Sequence, residues 1–309
     1  MTGTPGLVHQ GLVYGSDEDF LAATVPFCLE GLDRGDEVLA ITRPGNLDLL
    51  RQALGDAAGE VGFTAAEEWY RTPGRTLAAY HRHVDGHTAP GRRVRVIGEP
   101  VWHGRDELET AEWIRYEAAI NVAFAGSAAW IVCPYDSRAL PAPVVAGARR
   151  THPQLVTGAG VERSRDYAHP HDGTWERRPT PVRAEGEATM GFDADLTAVR
   201  SFVAATAAAL GASPGRVDHL VFAVNEVAAN AVQHGGGRGE VSLWRAGARV
   251  VCDVRDRGRG GAGWFTGYLP PDPAQPRGHG LWAVRQLCDL LEVHAGGPGT
   301  TVRLHLGVD

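Results

Sequence analysis

The sequence predicts an α/β protein of two domains, and three observations carry that expectation. Through the first half, short apolar runs alternate with helical stretches; in the last third, two helices precede pairs of strands; between them, residues 158–189 show no sustained hydrophobic period. The size agrees, because 309 residues at 43% hydrophobic and 22% charged suit two soluble domains of ordinary length.

In chain order, a strand ending at Tyr14, a turn at 15–17, a helix over 18–31 and a strand over 37–42 form a βαβ unit. Further strands are expected at 94–98 and 129–133, with helices at 76–84, 107–124 and 142–149. Such alternation predicts a mainly parallel sheet covered by helices. Residues 158–189 then supply proline, glycine, arginine and acids, which reads as a linker between domains at 7–157 and 190–309. His169 and His171 flank a proline in that stretch; without a third and fourth ligand beside them, solvated side chains are expected rather than a metal site.

The second domain opens with an alanine-rich helix over 196–210, capped by Asp193 or Asp195 and stopped by Gly211. The next helix has Ser213 at its N-cap, Pro214 at its first position and the glycines 235–237 at its end. Strands at 240–245 and 250–255 follow, joined by a turn at 246–249. After a Gly/Pro-rich loop come a helix over 281–291 and strands at 291–295 and 300–306. This order predicts an α/β sandwich with helices on one face of a mixed sheet.

Composition excludes several chemistries. The formal charge is −7, and all 30 basic residues are arginine. A Schiff-base lysine, a P-loop lysine and a protein-kinase strand lysine are therefore ruled out, leaving arginine, backbone N–H groups or a metal to handle phosphate. The acidic balance argues against direct nucleic-acid binding. Cys28, Cys133, Cys252 and Cys288 form no C-x-x-C pair and sit in apolar surroundings, as reduced core cysteines do. The N-terminus lacks a basic n-region and a long apolar h-region, and no apolar run approaches the roughly 20 residues of a membrane span. A cytoplasmic protein without membrane contact is expected.

The chemistry concentrates in VNEVAANAVQHG, residues 224–235. Leu220, Val224, Val227, Ala228, Ala231 and Val232 recur at helical spacing, while Glu226 and Asn230 stand at i and i+4 on one face. Asn230 offers a neutral oxygen suited to Mg²⁺, which keeps most of its octahedral positions for water and phosphate. Asp256 ends a strand as a fixed acceptor for an exocyclic amine such as adenine's, and Gly258 and Gly260 let backbone and ligand approach closely. Gly278 and Gly280 precede a helix whose N–H groups can meet phosphate, and Thr300 and Thr301 offer hydroxyls on a strand. Arg277 reads equally as a γ-phosphate contact or a solvated loop residue, and His234 as helix-end packing rather than a base.

These pieces resemble the GHKL ATPase fold: an N-box in NEVAANAVQHG, a G1 box in DRGRG, a G2 box in GHG and a closing GTT. Within that superfamily the second half is most similar to the serine kinases that act as anti-sigma factors, because a helix leads directly into the N-box and the module occupies only about 120 residues. The resemblance implies ATP and Mg²⁺, with Glu226 as base for phosphoryl transfer to a serine, Asn230 on the metal, Asp256 on adenine, and Gly258, Gly260, Gly278 and Gly280 at phosphate-side and lid positions. It also implies a STAS-type antagonist and a sigma factor as partners, and allows a homodimer.

In the first half, HQGLVYGSDEDF, GLDRGDEVLAIT, RVIGEPVW, YEAAIN, CPYD and THP occur in order over residues 7–157 and resemble a MEDS sensory domain. That implies a RecA-like sheet with helices on both faces and a decayed phosphate loop; here GSDEDF holds three acids and no lysine. Glu99, Trp102, His103, Tyr116, Glu117, Asn121, Tyr135, Asp136 and His152 lie on the resembling blocks. They read either as structural hydrogen-bond anchors or as the lining of a small-molecule pocket at the strand ends. Two other functions stay open: a non-catalytic, ATP-timed binding switch, and a histidine kinase, for which the linker lacks a helical hairpin.

Overall fold

The computed structural model describes residues 6–158, 160–177, 179, 186–258, 263–271, 280–296 and 299–309. The chain divides into two compact units, Met1–Arg71 with Thr76–Thr174, and Thr72–Arg75 with Trp175–Asp309.

The first unit runs β1 (Val8–Tyr14), α1 (Asp17–Asp33), β2 (Glu37–Thr42), α2 (Pro44–Leu54), a 3₁₀ turn (Gly55–Glu60), β3 (Gly62–Ala65), α3 (Ala66–Trp69), α4 (Pro73–His87), β4 (Val94–Gly98), α5 (Glu107–Ala123), β5 (Ala129–Asp136), α6 (Ala142–Thr151), β6 (Gln154–Thr157) and β7 (Gly160–Arg163). Its seven-stranded sheet has the order β3-β2-β4-β5-β1-β6-β7, and every pairing is parallel except β6 with β7. From β1 the chain steps toward β3 and then reverses. Right-handed crossovers therefore place α1 and α2 on one face and α4, α5 and α6 on the other. The packing agrees, with α1 against α2 and α5 against α6. Because both faces are covered, β4 is buried at all five positions.

Local signals set the helix ends. Ser16 caps α1 by accepting from the Asp19 N–H at 3.1 Å, and three acids fill the first turn where the macrodipole favours them. Asp106 and Glu109 form a reciprocal capping box on α5. The stretch expected to be a linker contributes β7, an exposed edge strand paired to β6, so loss of hydrophobic period marked exposure rather than loss of structure.

The second unit runs β8 (Ala188–Phe192), α7 (Leu196–Ala209), α8 (Pro214–His234), β9 (Gly239–Ala246), β10 (Arg249–Asp256), α9 (Gly280–Leu287), β11 (Leu290–Gly296) and β12 (Gly299–Gly307). The sheet order is β11-β12-β10-β9-β8. All four pairings are antiparallel, where a mixed sheet was expected: β9/β10 and β11/β12 are hairpins, and the remaining contacts, β10 with β12 and β8 with β9, also run in opposite directions. Gly247, at φ 57, provides the left-handed position of the first hairpin turn. Helix α9 stops at Leu287 instead of 291, because Leu290 and Leu291 pair with His305 and Leu304 in the sheet.

One face of this sheet carries the core. Val241 and Leu243, Val250, Cys252 and Val254, Leu291 and Val293, and Val302, Leu304 and Leu306 alternate along their strands. They meet Val199, Val203 and Ala207 of α7, the apolar stripe of α8, and Val284 of α9. The helices thus lie on one face, as the element order predicts. Among the described residues, no helix is long and apolar enough to cross a membrane.

Candidate functional site

Helix α8 positions the first group of candidate residues. Pro214 begins it, Gly235 ends it, and Leu220, Ala223, Val224, Val227, Ala228 and Ala231 are buried along one side. Glu226 and Asn230, a turn apart, are left half-buried at the edge of that stripe. The start of α9 stands over them. A β-carbon on Gly280 would lie 2.9 Å from Glu226 Oε2 and 3.9 Å from Asn230 Nδ2, so bare backbone faces the carboxylate and the amide. The first N–H groups of a helix lack intrahelical partners, which makes this a polar, anion-ready corner.

Asp256 forms the second group. It is the last residue of β10, and its Oδ1 accepts from the Gly258 N–H at 2.8 Å and the Thr300 N–H at 3.3 Å. These two bonds aim the carboxylate; Oδ2 accepts none among the described residues. Three glycines close the corner. A β-carbon on Gly235 would be 2.5 Å from Asp256 Cγ, one on Gly258 would be 2.5 Å from Gly235 Cα, and Gly299, at φ 132, lies against the Asp256 carbonyl. Thr301 and Asp256 line a cavity of about 490 Å³ with Arg238, Glu240, Arg255 and His294.

The structure therefore gathers Glu226, Asn230 and Gly280 in one place, and Asp256, Gly258, Thr300 and Thr301 in another. Neither Glu226 nor Asn230 lines the cavity beside Asp256. Helix α8 joins the two groups: Asn230 precedes Gly235 by about 7.5 Å of helix rise, and Glu226 by about 13 Å. Gly260, Arg277 and Gly278 lie outside the described residues.

Several supporting side chains had no signal in the sequence. Arg285 of α9 is buried and donates to the carbonyls of Thr266 at 2.8 Å, Trp264 at 3.1 Å and Leu291 at 3.3 Å, with its guanidinium 3.7 Å from the Tyr268 ring centroid. It ties residues 264–268 to the helix whose first residue faces Glu226. On the sheet face away from the helices, Asp253 is fully buried and accepts from Arg303 through both oxygens, at 2.6 and 2.9 Å, and from Arg255 at 2.6 Å. Glu292 pairs with His305 at 2.9 Å on the same face. These pairs fix the register of the strands that carry Asp256, Thr300 and Thr301. Charges alternating along a strand resemble a solvated face, so only the buried geometry reveals them.

In the first unit, Glu99 follows β4 at the carboxyl ends of the strands. It accepts from Tyr14 Oη at 3.1 Å, Asn46 Nδ2 at 2.9 Å, the Arg43 N–H at 3.3 Å and the Thr42 hydroxyl. Asp136 accepts from Arg138 Nε at 2.9 Å and Arg43 Nη2 at 2.6 Å; the Arg138 bonds lead in holding its carboxyl down to about 2. Both acids are thus occupied by protein donors. Trp102 is buried, 6.1 Å from the Tyr135 ring, whereas His103 is exposed. Glu117 and Asn121 lie on α5, and His152 stands at the C-cap of α6.

Two family models match separate stretches of the chain. Residues 8–153 match the MEDS family, the methanogen/methylotroph, DcmR sensory domain, and residues 193–306 match the histidine kinase-like ATPase domain. Among solved structures, the RsbU and RsbW domains of Rv1364c from Mycobacterium tuberculosis match at 26% identity and a TM-score of 0.31. That match covers 43% of this chain and 33% of that one. No curated protein matches.

Proposed function

We propose, for a chain that carries a MEDS domain ahead of a histidine kinase-like ATPase domain, that the second domain binds ATP and transfers its γ-phosphoryl group to a serine of a STAS-type antagonist. In this reading the domain also holds a sigma factor, and the MEDS half supplies the signal. The observation that carries the proposal is the placement of Gly280 against Glu226 and Asn230 on the same helix whose end abuts Asp256. One helix thereby spans the distance between an adenine acceptor and a phosphate corner.

The residues fit the reaction. Asp256, aimed by two backbone N–H groups, keeps Oδ2 for the adenine amine. The N–H groups at the start of α9 meet the phosphates. Asn230 offers the carbonyl oxygen that would hold Mg²⁺, whose charge neutralises phosphate oxygens. Glu226 takes the proton of the attacking serine hydroxyl as its oxygen bonds to the γ-phosphorus and ADP departs. At Gly280 only backbone, with no side chain, faces the carboxylate.

The test is incubation of the full chain with γ-labelled ATP and STAS-type proteins from its own genome. Label should pass to a serine of one of them. Tight ATP binding with no transfer to any of them, and with every interaction unchanged by Glu226→Ala, would replace the kinase with a nucleotide-timed binding switch.

A further inference from the structure

Four side chains of the first unit converge on one buried point for which the proposed kinase chemistry has no use. His9 lies on β1, Cys133 on the neighbouring β5, Glu117 on α5, and His152 at the C-cap of α6. Pairing of His9 with Ile131 and of Gly11 with Cys133 puts His9 and Cys133 on the same face of the sheet, where α5 and α6 pack. All four residues are buried, and one potential ligand atom from each lies within 4.8 Å of the others.

Their hydrogen bonds leave lone pairs at the centre. Asn121 Nδ2 donates to the Thr151 carbonyl at 2.8 Å, which turns Asn121 Oδ1 toward His9 Nδ1 at 3.1 Å; that ring nitrogen must carry the proton. His152 Nδ1 faces the Ala148 carbonyl at 2.7 Å and is likewise the donor. In its neutral form each ring therefore presents an unprotonated Nε2 inward, 3.6 Å from Glu117 Oε2. Neither Glu117 oxygen, nor His152 Nε2, has a hydrogen-bond partner among the described residues. A buried carboxylate left this way is costly unless a cation completes it.

We propose that His9, Glu117, Cys133 and His152 bind a divalent transition-metal ion of the zinc class. Bond lengths of about 2.0–2.3 Å to nitrogen, oxygen and sulfur in a tetrahedral site give ligand-to-ligand edges of about 3.3–3.7 Å. The observed separations, 3.5 Å for Cys133 Sγ to His9 Nε2 and 3.6 Å from each Nε2 to Glu117, already fall at those edges. On binding, the Cys133 thiol releases its proton to solvent and bonds as thiolate. Thiolate and carboxylate together cancel the charge of a divalent ion, which suits full burial. The carbonyl of Ala148 and the amide of Asn121 orient the two imidazoles through their far nitrogens, as partners of metal-bound histidines do. Gly11 makes the room, because a β-carbon there would press on the His152 ring at 3.2 Å. Four protein ligands leave no open position, so the ion ties four elements of the sensory half together rather than acting on a substrate.

The test uses the full chain, with any affinity tag removed. After exposure to Zn²⁺ and exhaustive dialysis, elemental analysis should find close to one zinc per chain, and Co²⁺ loading should give thiolate-to-cobalt charge transfer with tetrahedral d–d bands. Cys133→Ser should abolish the charge-transfer band and Cys28→Ser should retain it, while Asn121→Ala should weaken the metal roughly 10–100-fold. The partly exposed Glu37, His83 and His87 also cluster, but they include no cysteine, so the thiolate band separates the two sets. Wild-type protein that retains no metal, a cobalt complex without the thiolate band, or a Cys133→Ser variant with an unchanged spectrum would overturn the proposal. The wild-type measurements decide it even if a variant does not fold.

Discussion

Gly235, at the end of α8, lies so close to Asp256 that a β-carbon on it would stand 2.5 Å from the carboxylate carbon and 2.7 Å from the Ala231 carbonyl oxygen. Neither neighbour can yield easily: Asp256 is held by two backbone N–H groups, and Ala231 is part of the helix. Gly235→Ala should therefore destabilise the second unit by about 1–3 kcal/mol, the usual cost of overpacking. Gly215→Ala, on the same helix with open space around it, should be neutral or slightly stabilising. Chemical denaturation of the two variants checks the contrast.

Asp256→Asn should preserve the fold and weaken ATP. The amide oxygen can still accept from Gly258 and Thr300, but the charged acceptor for an amine is gone. A hydrogen bond to a charged group contributes roughly 1.5–3 kcal/mol, so calorimetry should show affinity lower by about 10- to 150-fold. Wild-type affinity in both Asp256→Asn and Asn230→Ala would mean that the nucleotide sits elsewhere.

Glu226→Gln should separate binding from turnover. General-base removal typically costs about 10²–10⁴-fold in rate, whereas ground-state ATP contacts are left nearly intact. Single-turnover transfer to the antagonist and equilibrium ATP binding, measured on one preparation, should diverge accordingly. A parallel fall in both would assign Glu226 to nucleotide binding instead.

Arg303→Leu should destabilise the second unit by about 3 kcal/mol, because it leaves the buried Asp253 without its two-pronged partner. The lower end of the usual range applies since Arg255 still reaches Asp253. Adding Asp253→Leu should recover part of that loss, which a thermal-unfolding double-mutant cycle would show.

The elements of the second unit were legible where period and punctuation agreed. Helix α8 has an apolar stripe, Pro214 at its start and glycines at its end, and the structure places it there. Strand β8 left no mark, because its five residues border a proline- and charge-rich stretch and only Phe192 is buried. Glu226, Asn230, Asp256, Gly258, Gly280 and Thr300 were all candidates in the sequence, but which of them stand side by side was not legible there. Nothing in the sequence sets Gly280 beside Glu226 or Gly235 beside Asp256, since those contacts depend on how α9 and β10 pack on α8. His9 was harder still: one histidine in an apolar strand reads as core, and its partners lie more than a hundred residues away on three other elements.

All four cysteines are free and buried, Cys28 and Cys133 in the first unit, Cys252 and Cys288 in the second. Burial raises the thiols of Cys28, to about 12, and of Cys252 and Cys288, so in the native chain these three offer thiol reagents neither access nor thiolate. Modification must then wait for each half to open, and the labelled position records which half did so. The chain thus carries a pair of internal clocks, able to report whether added ATP slows opening of the second unit alone or of the first as well.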